Sequence, residues 1–359
     1  MNSQAKFTNQ LLDVCKRALA SRGGLDTLAS LGFQRRQALR RAAAERAGKT
    51  VPAVLIASVT RRCNLDCKGC YSKELRPDAG SAPAELSDDR FMELFEEAVD
   101  LGVGTIFIAG GEPLLRASLL ARLAAMRGIV IPVFTNGTLL DGAVAQFFGK
   151  TLIPIFSIEG DEAFTAERRG YGVHQAAMIR ARAIRDSGGL FGVSVTVSSR
   201  NADNALSPAF LNRVAELGAS ALFLVEYVPV VPGTEDLILT DEQRAKLNDE
   251  ARTAALPYPV IRLPGDEEAF GGCLAAGRGF VHIAPEGDLE ACPFAPFSDS
   301  DAGAVGLAAA LDSPLVRAIR DRHGELTETR GGCALRDKAG WVASLGACSR
   351  AEELAEVVA

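Results

Sequence analysis

With 359 residues, 48% of them hydrophobic, the chain carries enough apolar material for a large core, which excludes intrinsic disorder as its general state. No apolar run reaches the roughly 18–20 residues of a bilayer span, and the longest, ALFLVEYVPVV at 221–231, is interrupted by Glu226. The net charge of −6 is unevenly spread, because residues 1–50 hold ten lysines and arginines against three acids and the remainder is correspondingly acidic.

The first segment, 1–50, reads as basic and helical. Phe7, Leu11, Cys15, Ala18 and Leu19 share one face of a helix over 7–20, and a second helix is expected over 34–47. The expected role is a cap with a basic polar face, with a membrane surface or an anionic substrate as the other readings. It lacks the interleaved aromatics of single-strand binders, so no nucleic-acid partner is expected. No apolar signal core precedes it, which points to a cytoplasmic location, where close cysteines serve metals or catalysis rather than disulfides.

From residue 54, short apolar runs alternate with helical segments. Strands are predicted at 54–60, 105–110, 130–137, 152–160, 191–198 and 221–228, and helices near 88–101, 116–127, 138–149, 174–187 and 207–217. Six successive β-then-α units predict an α/β fold, a partial (β/α)6 barrel over 51–235, with its chemistry at the C-terminal strand ends. Beyond lies a small C-terminal domain, 236–359. It opens with a helix at 241–254 and the Pro/Gly-rich stretch LPYPVIRLPGDEEAFGG. Two short strands joined at a glycine turn follow, then helices over 307–322 and 349–358.

The stretch CNLDCKGCY places Cys63, Cys67 and Cys70 just after the first strand. Structural zinc takes four protein ligands, usually as two close pairs, and no fourth Cys or His follows nearby. Three thiolates suit one face of an iron–sulfur cube better, and leave one iron open for chemistry. GGEP at 110–113, TNG at 135–137 and SIEG at 157–160 end the next three strands, so four strands converge on one mouth.

Together these motifs, over roughly 54–230, resemble the radical S-adenosylmethionine (radical SAM) superfamily. The resemblance implies a [4Fe–4S] cluster on Cys63, Cys67 and Cys70, with SAM chelating the open iron. One-electron reduction, from a donor such as flavodoxin or ferredoxin, then releases a 5′-deoxyadenosyl radical that abstracts a substrate hydrogen. Gly110 and Gly111 would allow close backbone approach to SAM's methionine moiety. Glu112 or an adjacent carbonyl would face its ammonium group, and Pro113 would fix the turn. Ser157 and Glu159 would take the ribose hydroxyls, and Asn136 would orient the adenosine or the ribose. Gly69 stands where many members carry an aromatic residue, and Tyr71 reads either as the substitute against the adenine or as ordinary core.

A second set comprises Cys273, Cys292, Cys333 and Cys348. Thirteen residues separate Cys273 from Gly287, and GxxxxC follows, which is similar to the start of SPASM and twitch extensions that carry auxiliary iron–sulfur clusters. Four cysteines suffice for one auxiliary [4Fe–4S] cluster, hence a twitch-like version. Cys348 completes the count, although its fifteen-residue distance from Cys333 fits no familiar spacing. Cys15 reads as core. The resemblance implies an oxidoreductase or maturase acting on a ribosomal peptide or a small metabolite. An anionic lipid or tetrapyrrole and a non-catalytic iron–sulfur carrier are the alternatives. Glu226, Tyr227, Arg168 and Arg169 lie near the expected mouth.

Overall fold

A computed structural model describes residues 25–74, 84–149, 151–263, 271–327 and 333–345. The helices expected over 7–20 and 349–358, with Cys15 and Cys348, lie outside the described residues. All six predicted strands form, each slightly shorter than expected: β1 Val54–Ser58, β2 Thr105–Ala109, β3 Ile131–Thr135, β4 Leu152–Ile158, β5 Gly192–Val197 and β6 Ala221–Glu226. Three more join the same sheet: β7 Val260–Leu263, β8 Phe280–Ile283 and β9 Leu289–Glu290. The strand order is β7-β6-β5-β4-β3-β2-β1-β8-β9, parallel throughout except for the terminal β8–β9 hairpin. The hairpin turns at Gly287, as the sequence suggests, with φ at 112°.

The sheet is strongly curled. Phe107 on β2 and Phe223 on β6 stand four strands apart in the sheet, roughly 19 Å if it were flat. Their ring centroids are 5.8 Å apart, with Phe134 of β3 between them at 5.6 and 5.1 Å. The parallel strands therefore form a half-barrel whose concave face is filled by these rings and by Val54, Ile155 and Ala221. The convex face packs against helices in a larger apolar layer.

Residues beyond 235 extend the sheet at both ends, β7 alongside β6 and β8 alongside β1. The sheet thus runs across the expected boundary between 235 and 236. β7 is hidden in the sequence because its four half-buried residues sit between prolines, an edge position with no alternating pattern to betray it.

The helices show their local causes. Helix α1, Leu25–Arg46, starts before the predicted 34–47. In α2, Asp88–Leu101, Ser87 Oγ accepts from Arg90 N, two aspartates occupy the first turn, and Phe91, Leu94, Phe95 and Ala98 are buried at helical spacing. A 3₁₀ turn, Pro113–Arg116, leads into α3, Ala117–Ala124, while only Gly142–Ala145 of the expected 138–149 is helical. Helix α4, Glu162–Arg169, was not predicted; Asp161 caps it by accepting from Ala163 N and Phe164 N. Helices α5, Val173–Asp186, and α6, Pro208–Leu217, match expectation, and α7 stops at Asp241–Asn248. The helix expected over 307–322 is broken by Ser313–Pro314 into Leu307–Ala310 and α8, Pro314–Asp321.

The basic face of α1 has a definite partner. Gln34 donates to Gly104 O, Gln37 to Val99 O and Val103 O, Arg40 to Val99 O and Arg41 to Gly102 O, all at 2.6–2.9 Å. These carbonyls lie at the C-terminal end of α2 and just beyond it, where backbone acceptors lack helical partners and the dipole is negative. Burial lowers the Arg41 guanidinium to about 10. Among the described residues no helix is long and apolar enough to cross a membrane.

Candidate active site

The segment after β1 carries the first cysteine set and is fixed mainly by backbone contacts. Gly111 N donates to Thr60 O at 2.7 Å, and Glu112 N to Arg62 O at 2.8 Å. A Cβ on Gly110 would stand 2.5 Å from Thr60 O, and one on Gly111 only 2.1 Å from Arg62 O. Both glycines are thus required by the neighbouring backbone leading to Cys63, a closer constraint than the ligand approach expected from the sequence.

Glu112 is 1% exposed, and its carboxylate accepts three hydrogen bonds. Oε1 accepts from Leu114 N at 3.0 Å and Thr135 Oγ1 at 2.7 Å, and Oε2 from Asn136 N at 2.9 Å. It caps the 3₁₀ turn begun by Pro113 and ties the end of β2 to the end of β3. Burial pushes its carboxyl above the ordinary range against the pull of these hydrogen bonds. The Glu112 side chain thus holds two strand ends together.

Asn136 is similarly engaged. Its Nδ2 donates to Asn64 Oδ1 at 3.0 Å, and its Oδ1 accepts from Thr138 N and Thr138 Oγ1. Asn64 lies between Cys63 and Cys67, so the TNG turn holds the cysteine segment in place. Asn64 has no role in the motif reading, although it stands inside CNLDCKGCY.

On the opposite side, Lys68 N donates to Arg168 O at 2.9 Å, joining the segment to the end of α4. Gly69, with φ at 62°, admits the Tyr227 ring: a Cβ there would lie 2.6 Å from the Tyr227 hydroxyl, which donates to Thr234 Oγ1. Glu226, by contrast, pairs with Arg244 of α7. Burial raises the Cys67 thiol, Arg169 and Arg168 pull it down, and Cys70 and Cys63 push it up. The three thiols therefore share one electrostatic environment beside two arginines.

Those arginines converge on Glu159. Arg168 Nη1 and Arg169 Nε donate to its Oε1 at 2.5 and 2.6 Å. Burial lowers the Arg168 guanidinium, but Glu159 and the Cys70 and Cys67 thiols outweigh this and raise it. Glu159 Oε2 is buried with no hydrogen-bond partner among the described residues. An unsatisfied buried carboxylate oxygen suits a hydroxyl donor, as on a ribose. Ser157, half-buried near the end of β4, lies two residues earlier. This orphaned acceptor and the thiol trio fit the cluster and SAM that the motifs imply.

The second set is brought together by tertiary structure. Cys273 and Cys292 are each 6% exposed and Cys333 is half-buried; all six described cysteines are free thiols. The Cys292 thiol is pushed well above its ordinary value, first by a hydrogen bond with Cys333, then by burial and by the proximity of Cys333 and Cys273. Three cysteines from distant positions thus meet. Among the described residues no three Cys, His, Asp or Glu side chains are arranged as ligands of one metal ion.

Tyr71 stands between the two sets. Its ring meets Phe294 edge-on, with centroids 5.0 Å apart. Its hydroxyl is raised above its usual value by burial, then by Cys70, Cys292 and Glu290.

Residues 57–205 match the family described as the Radical SAM superfamily. A "Probable GTP 3′,8-cyclase" of Halobacterium salinarum is 30% identical over 192 residues, covering 52% of this chain and 53% of that protein, so the chain spans about half the length of this relative. The AdoMet-dependent heme synthase of Methanosarcina barkeri is 26% identical over 278 residues, 68% of this chain and 78% of the synthase. Among solved structures, Streptococcus suis SuiB bound to precursor peptide SuiA superposes with a TM-score of 0.61 at 18% identity, over 86% of this chain and 77% of SuiB. The half-barrel, the thiol trio at its mouth and this match agree: residues 57–205 are similar to the Radical SAM superfamily.

Proposed function

We propose that the chain reductively cleaves SAM and abstracts hydrogen from a peptide substrate, with a second iron–sulfur cluster taking up substrate electrons. Cys63, Cys67 and Cys70 would hold the first [4Fe–4S] cluster; Cys273, Cys292 and Cys333 would hold the second, with Cys348 as the candidate fourth ligand. When bound, cluster and SAM supply a 5′-deoxyadenosyl radical on one-electron reduction by a flavodoxin- or ferredoxin-type donor. The protein's part is positional. Arg168 and Arg169 offset part of the cost that burial puts on the Cys67 thiolate, and Ser157 and Glu159 Oε2 receive the ribose hydroxyls.

The observation that carries the two-cluster reading is the meeting of Cys273, Cys292 and Cys333 beside Tyr71, which also neighbours Cys70. A carrier of clusters has no use for the buried acceptor left open at the SIEG strand end. The peptide substrate is supported by SuiB, a neighbour in fold seen with a precursor peptide. The tetrapyrrole reading stands second, supported by the length of the match to the heme synthase. Anaerobic reconstitution should yield about eight irons per chain, as two [4Fe–4S] clusters require. Incubation with SAM and dithionite should release 5′-deoxyadenosine; no release under any condition would sink the enzyme reading, and about four irons would remove the second cluster. Mass spectrometry after turnover with a precursor peptide or with an iron porphyrin separates the two substrates.

A further inference from the structure

His282 on β8 has no part in the site described above, yet it is 4% exposed with a polar partner at each ring nitrogen. Nδ1 lies 2.6 Å from Glu290 Oε2 on β9, and Nε2 lies 2.8 Å from Oγ of Ser58, the last residue of β1. The strand register sets this up: Ile56 and Ala57 lie opposite His282 and Ile283, and His282 lies opposite Glu290. A neutral ring in this setting donates through Nδ1 to the carboxylate and accepts the serine proton at Nε2. That is the order of a hydroxyl activated by an imidazole that a carboxylate orients.

All three residues line a small open cleft of about 40 Å³. Tyr71, next to Cys70, and Pro293, next to Cys292, form part of its walls. The cleft thus lies between the two cysteine neighbourhoods. A polar pin between strands could serve β1, β8 and β9, but backbone pairing already joins them, and buried polar groups add cost unless each is satisfied. Opening onto a cleft is what a pin does not need.

We propose that Ser58, His282 and Glu290 form a proton relay serving this cleft, with Ser58 Oγ exchanging a proton with a hydroxyl-, amine- or amide-bearing group bound there. In the transfer the bound group's X–H bond breaks and its proton passes to Ser58 Oγ, as the serine proton moves to His282 Nε2. The imidazolium so formed faces the Glu290 carboxylate, whose Oε2 lies 2.6 Å from Nδ1. The relay's use in turnover rests on the proposed function; its chemistry does not.

The test uses phenylmethylsulfonyl fluoride on the reconstituted chain, without SAM or reductant, with adducts mapped by peptide mass spectrometry. Labelling forms the Oγ–S bond, breaks S–F, releases fluoride and leaves the proton on Nε2, so its rate reads the relay directly. Ser58 should be labelled, with a normal solvent deuterium isotope effect, and His282→Gln should slow labelling about 100-fold. Ser58→Ala should abolish that adduct while iron content is unchanged. Absence of a Ser58 adduct in the wild-type chain, an isotope effect of unity, or equal rates in His282→Gln would each overturn the relay. Should His282→Gln fail to fold, the isotope effect on the wild-type chain decides alone. A chain that labels at Ser58 yet releases no 5′-deoxyadenosine sinks the proposed function and leaves the relay standing; the reverse result does the opposite.

Discussion

The two cysteine neighbourhoods are built in opposite ways. Cys63, Cys67 and Cys70 lie within eight residues, stay partly exposed, and are fixed by hydrogen bonds from the GGEP turn, the TNG turn and the end of α4. Cys273, Cys292 and Cys333 span 61 residues, and the first two are buried. Their placement depends on β8 docking against β1 and on contacts such as Cys273 N to Leu326 O. A local motif can keep its geometry when its surroundings loosen; a dispersed one exists only while the C-terminal packing does.

The sharpest way to break this comparison is to remove one ligand from each side. Cys67→Ala should abolish 5′-deoxyadenosine release and lose about four irons while the second site keeps its own; persistent cleavage would refute the assignment. Cys292→Ala should lose the other four or so irons and substrate conversion, yet retain uncoupled SAM cleavage. If either variant empties both sites, the two neighbourhoods are one cooperative unit and the contrast fails.

Smaller effects test the supports. Gly111→Ala forces a Cβ against the Arg62 carbonyl, so it should destabilise by about 3 kcal/mol and weaken iron retention at the first site only. Urea unfolding together with iron counts under both conditions would check it. Gln37→Ala removes two hydrogen bonds to the end of α2, and should cost about 1–3 kcal/mol in urea unfolding without changing the iron count. A variant as stable as the wild type would show that α1 is not needed to cap α2.

Much of the architecture was legible beforehand. All six barrel strands read from continuous apolar runs, because strands covered on both faces leave that signature. Helix α4 escaped because its sequence EAFTAERR is mostly polar, with Thr165 its buried residue; only the Asp161 cap announces it. The SIEG motif draws attention to Ser157 and Glu159, but the engagement of Glu159 with Arg168 and Arg169 needed the fold of α4 back toward β4. The bonds by which Glu112 and Asn136 hold the turns together likewise needed the fold. Spacing alone cannot separate holding a turn from contacting a ligand, since both demand a polar residue at a strand end. The Ser58–His282–Glu290 alignment had no sequence signal, because its members are separated by 224 and 8 positions.

The sequence by itself determined the strand periodicity, the glycine positions and the local grouping of the first three thiols. These depend on covalent neighbours and on backbone preferences that act over a few residues. Only the tertiary structure decided that β8 closes onto β1, that three distant cysteines meet, and which carboxylate oxygen is left without a partner. Those outcomes follow from parallel pairing of strands far apart in the chain, where register rather than sequence proximity sets which side chains touch.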